Sequence, residues 1–199
     1  MKVGLIGLGR MGEGMSRRMM KKDIEVYGYR RNVAKAQEAA KNGYITAAAD
    51  SLESLVQVVK SRKSIYGEKS GETVFVETPG IFQLVIPAEL VEDTLNELLP
   101  LLGDGDIIID HGNSNFKDSR RRAERLVKLG IQYIDCGTSG GVYGLERGYC
   151  LMVGGSNTAV SIASPIFRAL APGTASAPRT DPHTRATSAE YGWLHCGPP

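Results

Sequence analysis

The stretch Val3-Gly4-Leu5-Ile6-Gly7-Leu8-Gly9-Arg10-Met11-Gly12-Glu13-Gly14 constrains the fold more than any other part of the chain. A short apolar run ends in Gly7-x-Gly9-x-x-Gly12, and a helical pattern follows with Met11, Met15 and Met19 at i, i+4 spacing. Strand, glycine turn and helix in that order make a dinucleotide-binding fingerprint. Gly7 lets the chain turn sharply off the strand. Gly9 has no Cβ, so a pyrophosphate can approach the backbone, and Gly12 lets the helix pack closely on the strand. The phosphates would meet free N–H groups and the positive end of the helix dipole. Gly7, Leu8, Gly9, Arg10, Met11 and Gly12 are therefore expected to bind the cofactor.

The second strand, over 24–29, ends in Arg30-Arg31-Asn32. In a dinucleotide fold the residue about 20 positions beyond the glycine loop faces the adenosine ribose. A carboxylate there bonds the 2′-hydroxyl of NAD and repels the 2′-phosphate of NADP. Here two guanidiniums stand at that place, and each can make bidentate contacts to a phosphate. Arg30, Arg31 and Asn32 thus favour NADP, with NAD the alternative. Arg17, Arg18, Lys21 and Lys22 read as a solvated helix face that complements the dipole rather than as a binding patch.

Strands alternate with helices for most of the chain, which predicts an α/β, doubly wound, mostly parallel sheet over 1–170. Helices are expected over 34–41 and 52–60, the second capped by Ser51 with Ser54 at the capping-box position. Residues 61–82 are irregular: 61–64 and 67–71 read as loop, strands are expected over 73–77 and 82–86, an inserted hairpin fits this pattern, and a disrupted reading frame would look the same. The run Asp106-Ile107-Ile108-Ile109-Asp110 suits a strand buried on both faces. His111-Gly112-Asn113-Ser114-Asn115 follows as a polar loop, then a helix over 116–129. A strand over 131–135 leads into a loop over 136–141, and a strand over 149–153 into a helix over 159–170, bent or broken near Pro165. From Ala171 to Pro199, proline and glycine punctuate what reads as linker, with no packed element.

Two of these loops carry chemistry. Asn113 offers donors and an acceptor, and Ser139-Gly140-Gly141 offers a hydroxyl and accessible amides suited to a carboxylate or polyol oxygen. The plain alternatives are a turn-forming asparagine and a flexible turn.

Composition narrows the class. The 199 residues carry a formal net charge of only +2, which argues against a nucleic-acid partner. No apolar run approaches membrane-spanning length and no secretory leader is visible, so no membrane partner is expected. Cys136, Cys150 and Cys196 are odd in number and widely spaced, which favours reduced cytoplasmic thiols and no metal site.

Four stretches together carry a family resemblance: Gly7 to Gly12; Ile109-Asp110-His111-Gly112-Asn113-Ser114-Asn115-Phe116-Lys117-Asp118-Ser119; Asp135 to Gly155; and Gly192-Trp193-Leu194-His195-Cys196-Gly197-Pro198. They resemble decarboxylating 6-phosphogluconate dehydrogenases of the shorter bacterial and archaeal type, over most of the chain apart from 61–82. The resemblance implies a Rossmann-type fold and oxidation of 6-phosphogluconate with loss of CO₂, giving ribulose 5-phosphate in the pentose phosphate pathway. It implies that Asn113 lies between nicotinamide and substrate, and that Ser139, Gly140 and Gly141 bind the carboxylate and hydroxyl end. Val85, Ile86 and Pro87 match the loop that lines the cofactor. Members that use NAD usually carry an acidic residue where Arg30 stands, which again favours NADP.

Two departures follow from the same resemblance. His111 replaces a usual glycine; the alternatives are that it narrows its loop or that it is harmless. The family's catalytic lysine and partner asparagine belong to the pattern G-x-G-H-F-V-K-x-V-H-N, which is expected to lie beyond Pro199. The catalytic residue is therefore unassigned, and Lys117 matches a different family position. The family's all-helical C-terminal domain, which closes the site and builds the homo-oligomer, is likewise expected to be missing. The chain alone is expected to bind NADP without turning over 6-phosphogluconate. The rival readings are a non-catalytic dinucleotide-binding module and a β-hydroxyacid dehydrogenase of the 3-hydroxyisobutyrate dehydrogenase type.

Overall fold

The structure, a computed structural model, describes residues 1–60, 62–66, 73–176 and 187–199, with 62–66 and 73–77 described by their backbone alone. The loop expected over 67–71 and the proline-punctuated middle of the linker, 177–186, lie outside the described residues.

The strands of the main sheet are short, and those at its centre are apolar because they are buried on both faces. They are β1 (Lys2–Ile6), β2 (Glu25–Tyr29), β3 (Ala47–Ala48), β6 (Ile81–Leu84), β7 (Ile107–Asp110), β8 (Gln132–Ser139), β9 (Cys150–Gly154) and β10 (Trp193–Gly197). Their spatial order is β10-β9-β8-β7-β6-β1-β2-β3, all neighbours parallel except β8 and β9. Between β3 and β6 the chain inserts β4 (Arg62–Tyr66) and β5 (Thr73–Glu77), an antiparallel pair outside the main sheet, so residues 62–64, expected as loop, are strand because β5 pairs with them. The helices are α1 (Arg10–Met20), α2 (Val33–Lys41), α3 (Leu52–Val59), α4 (Ala88–Leu98), α5 (Phe116–Val127), α6 (Gly144–Arg147), α7 (Asn157–Leu170) and α8 (Ser188–Tyr191).

Alternation along the strands sorts the core into two clusters, one on each face of the sheet. Val3, Leu5, Ile107 and Ile109 join Met15 and Met19 of α1, Ala36 and Ala39 of α2, and Phe167 of α7. Ile6, Phe82, Leu84 and Ile108 join Leu55 of α3, Leu95 of α4 and Leu126 of α5. Helices on both faces make this the Rossmann-type doubly wound architecture. Local signals agree with it: Ser51 and Ser54 cap α3 reciprocally, at 3.0 and 3.1 Å.

Three further expectations need correction. Residues 136–139 are not loop: β8 runs on to Ser139 because β9 pairs with it, Asp135 opposite Gly154 through Ser139 opposite Cys150. The helix over Pro165 does not break. α7 continues to Leu170, since its apolar side (Ala163, Ile166, Phe167 and Leu170) is fully buried and that packing outweighs one missing backbone bond. Between Ala171 and Pro199 a packed element does form. β10 pairs with β9, and Trp193 sits 5.5 Å from Phe167, centroid to centroid. Pro199 itself is half-buried beside β9, where its Cα would lie 3.1 Å from a Cβ on Gly154.

Candidate active site

The parallel strands place all their carboxyl ends on one edge of the sheet. Ile6 lies level with Leu84, Leu84 with Asp110, and Asp110 with Asp135. The order reverses between β1 and β6, since the chain first builds outward through β2 and β3 and then through β7 and β8. Ligands of open α/β sheets bind in the crevice at such a switch point.

That crevice is present. Gly7, Leu8 and Gly9 form one wall, Val85, Ile86 and Pro87 another, and Arg30, Arg31 and Asn32 one end. Ile6, Tyr29, Leu52, Leu90, Thr94 and Glu97 complete the lining. Gly7 turns with φ +103°, and a Cβ there would collide with the Val85 carbonyl. A Cβ at Gly12 would collide with the carbonyl of Gly7, so the helix start is seated on the turn itself. At Gly9 the backbone borders open space. α1 begins there without a side-chain cap, which leaves its first-turn amides and positive dipole end available to an anion. These features fit a dinucleotide. Arg10, Met11 and Gly12 belong to α1 behind the crevice rather than to its lining.

Arg30 donates from Nη1 to the Leu8 carbonyl at 2.8 Å. It therefore braces the glycine loop with one of its five N–H groups, while Arg31 and Asn32 are exposed.

No lysine among the described residues lines the crevice. Pro198 and Pro199 border a separate hollow, with Arg120, Gln132, Tyr133 and Ser156, and contribute nothing to the crevice.

Asn113 is exposed and lies outside the crevice lining, on the loop after β7, with φ +53°. The loop is shaped by a buried carboxylate. Asp110 accepts from the Gly112 amide at 2.8 Å, the Ser114 hydroxyl at 2.8 Å, the Tyr133 hydroxyl at 2.7 Å and Arg122 Nη1 at 3.3 Å. Arg122 also reaches Ser114 at 2.8 Å and Glu92 at 3.1 Å. Burial and the Asp110 charge hold the Tyr133 phenol well above its ordinary range, so it stays a donor.

Ser139, Gly140 and Gly141 are exposed at the end of β8, four residues past the level of Asp135, or roughly 13 Å at strand rise. They project over the sheet edge near α1. Gly14 of α1 leaves room for Tyr149, whose ring lies beneath Gly140: a Cβ at Gly14 would lie 2.5 Å from the Tyr149 hydroxyl, and one at Gly140 3.0 Å from its ring.

His111 does not narrow its loop. Its ring turns beneath the loop, 5% exposed, between Thr138 and Gln83. Burial pushes its pKa down to about 4, against an opposing pull from Asp110. Burial thus disfavours the charged ring, and both of its nitrogens are engaged by neighbours.

Sequence reading missed the Arg122–Tyr133–Ser114 set and the use of Arg18. Arg18 is not a solvated cation: it donates to the carbonyls of Leu170 at 3.0 Å, Ala171 at 2.8 Å and Leu145 at 3.2 Å. Its spacing carried the signal, because position 18 lies three residues after Met15 and borders the buried stripe.

Residues 2–178 match the family described as the NAD binding domain of 6-phosphogluconate dehydrogenase. The chain belongs to that family. It is 37% identical over 171 residues to the decarboxylating 6-phosphogluconate dehydrogenase of Drosophila simulans, covering 84% of this chain and 32% of the relative. It is 37% identical over 174 residues to the NAD(+)-dependent, decarboxylating enzyme of Haloferax volcanii, covering 87% and 51%. The chain thus spans about half or less of the length of these curated relatives.

Among solved structures, the Plasmodium falciparum 6-phosphogluconate dehydrogenase matches with TM-score 0.72 at 23% identity, covering 100% of this chain and 37% of that one. The 3-hydroxyisobutyrate dehydrogenase of Salmonella typhimurium matches with TM-score 0.66 at 22% identity, covering 85% and 53%. At those identities the likeness is one of fold. The family match makes this a dinucleotide-binding domain of dehydrogenase type. No helix among the described residues is long and apolar enough to cross a membrane.

Proposed function

We propose that this chain is the NADP-binding part of a decarboxylating 6-phosphogluconate dehydrogenase. The observation that carries the reading is the switch-point crevice. Gly7 to Gly9, Arg30 to Asn32 and Val85 to Pro87 line it together, with the Asn113 and Ser139–Gly141 loops on the same edge of the sheet.

The glycine turn and the uncapped start of α1 bind the pyrophosphate. Arg31, with the N–H groups Arg30 does not use on Leu8, binds the 2′-phosphate. Val85, Ile86 and Pro87 flank the cofactor and keep water from one side of it. Bound NADP supplies the hydride acceptor. Asn113 orients the sugar acid, and Ser139 with the amides of Gly140 and Gly141 holds its carboxylate and hydroxyl end. Three cysteines free of disulfides support a cytoplasmic setting.

Calorimetric titration of NADP and NAD into the purified 199-residue polypeptide tests this. NADP should bind about tenfold or more tightly, the worth of one good charge-assisted contact. Equal affinities, or a preference for NAD, would overturn the cofactor assignment. The same polypeptide mixed with NADP and 6-phosphogluconate should show no absorbance rise from reduced cofactor. Measurable reduction would place an acid–base group within residues Met1 to Pro199.

A further inference from the structure

Three polar side chains stand side by side on an otherwise apolar face of the sheet. Gln83 of β6, His111 just beyond β7 and Thr138 of β8 share the face of Ile107, Ile109, Ile134 and Cys136. Alternation puts them there: Phe82 and Leu84 point to the opposite face, and so does Asp110. The His111 amide still bonds the Leu84 carbonyl at 2.9 Å, so the strand geometry persists to that residue. Its ring lies 2.8 Å from Thr138 Oγ1 through Nδ1 and 3.2 Å from Gln83 Oε1 through Nε2. Gln83 continues to the Met19 sulfur of α1 at 3.2 Å.

A buried polar row costs stability unless its members are bonded, and an apolar trio could fill the same space. What the polar row adds is direction. Thr138 is the residue before Ser139, and His111 is two residues before Asn113, whose left-handed backbone must be held by its surroundings.

We propose that His111 is a positioning residue whose ring ties the Asn113 loop to the Ser139–Gly141 loop through Thr138. The proposal rests on reading both loops as the substrate site. The tie makes the two loops one unit: loosening either end frees the other, although no backbone hydrogen bond joins them among those described.

Amide hydrogen exchange, followed by NMR on the 199-residue chain, tests this with Thr138→Val and His111→Ala. Thr138→Val keeps the shape of the side chain and removes its bond to the ring, together with a bond inside β8 to the Cys136 carbonyl that reaches neither Gly112 nor Asn113. It should speed exchange at Gly112 and Asn113, on the other loop, roughly tenfold, as expected for one buried bond lost. Amides of the Gly7–Gly12 segment should hold their rates and report that the fold is intact. The double variant should be no worse than His111→Ala alone, because both changes break one link. Additive effects, or a Thr138→Val effect confined to 139–141, would overturn the tie.

Titrating 6-phosphogluconate into the same proteins separates this proposal from the functional one. Weaker binding by Thr138→Val, roughly tenfold, supports both. Loops that loosen together, in a chain whose affinity for 6-phosphogluconate is unchanged by Ser139→Ala, would leave the tie standing and sink the substrate assignment. Unchanged loop exchange in a chain whose affinity Ser139→Ala does lower would do the reverse.

Discussion

One strand, β7, carries an aspartate at each end of the same isoleucine run, and the two are put to different uses. Asp106 and Asp110 are equally buried, at 0% and 1% exposure. Asp106, at the amino end, accepts from the amides of Gly80 at 2.7 Å and Gly103 at 2.8 Å and from Lys60 Nζ at 3.0 Å. Lys60 precedes the inserted β4–β5 pair and Gly80 follows it, so Asp106 closes the base of the insertion. Two of its three donors are backbone groups, which are present whatever the side chains are. Asp110 takes most of its donors from side chains: Ser114, Tyr133 and Arg122. One carboxylate closes the scaffold. The other holds a loop in a backbone conformation it would not keep alone.

The two ends should therefore fail differently. Asp110→Ala leaves the nearly buried Arg122 without its inner carboxylate and three other donors unmatched. It should cost about 4 kcal/mol in urea unfolding, in the range for breaking a buried charge pair from one side. Asp106→Ala should cost about 3 kcal/mol, since Lys60 keeps partial access to water. At a temperature where circular dichroism shows both variants folded, Asp106→Ala should bind NADP and 6-phosphogluconate like the parent. Asp110→Ala should lose the sugar acid and keep the dinucleotide. Equal binding losses in the two would erase the distinction between a scaffold end and a site end.

Acid separates the ends next. The carboxyl end of β7 carries His111, whose folded-state pKa of about 4 lies below its ordinary 6.5. As pH falls from 6.5 the unfolded chain takes the proton first, so stability is complete above 6.5 and falls through the window down to 4. The shift corresponds to roughly 3 kcal/mol over that window. The Asp110 charge, on the opposite face of the strand, opposes the shift, while the Cys136 thiol, pushed up to about 12 by burial, stays neutral throughout. Asp135, raised by burial and by Asp110, works in the opposite sense, and a comparison of wild type with His111→Gln cancels it. Urea unfolding from pH 7.5 to 4 should show a flatter profile for His111→Gln. Parallel profiles would mean that the ring is not held neutral.

What could be read from sequence divides along the same line as the two aspartates. Local and periodic features were legible: the glycine fingerprint, the isoleucine strand, the Ser51–Ser54 cap and the helix periods. Each depends on neighbours a few residues away. Features set by a distant partner were not. Residues 136–139 contain glycine and hydroxyl side chains that suit a loop, and only the pairing with β9 makes them strand. Trp193 to Gly197 sits among prolines and glycines, and only the seat against Phe167 and β9 orders it. The partners of Asp110 lie as far as 23 residues away in sequence, so nothing near the motif announces Tyr133 or Arg122. His111 read as a loop residue because the face its ring chooses depends on Gln83 and Thr138, from two other strands.

The smallest effect gives the sharpest comparison. Tyr133→Phe keeps the ring packed in the core and deletes one donor, the hydroxyl 2.7 Å from Asp110. Because the acceptor is charged and buried, the loss should be about 2 kcal/mol. Lys60→Met deletes one donor at the other end of β7, but two backbone amides still hold Asp106, and the lysine partly regains solvation when unfolded. That loss should be about 1 kcal/mol. Beyond size, the two should differ in reach. Tyr133→Phe should speed amide exchange at Gly112, since its acceptor then relies on Ser114 and Arg122, both bonded to each other. Lys60→Met should leave Gly80 and Gly103 protected. If Gly112 kept its protection in Tyr133→Phe, Asp110 would be as self-sufficient as Asp106, and the loop would owe its shape to its own backbone rather than to side chains gathered from α5 and β8.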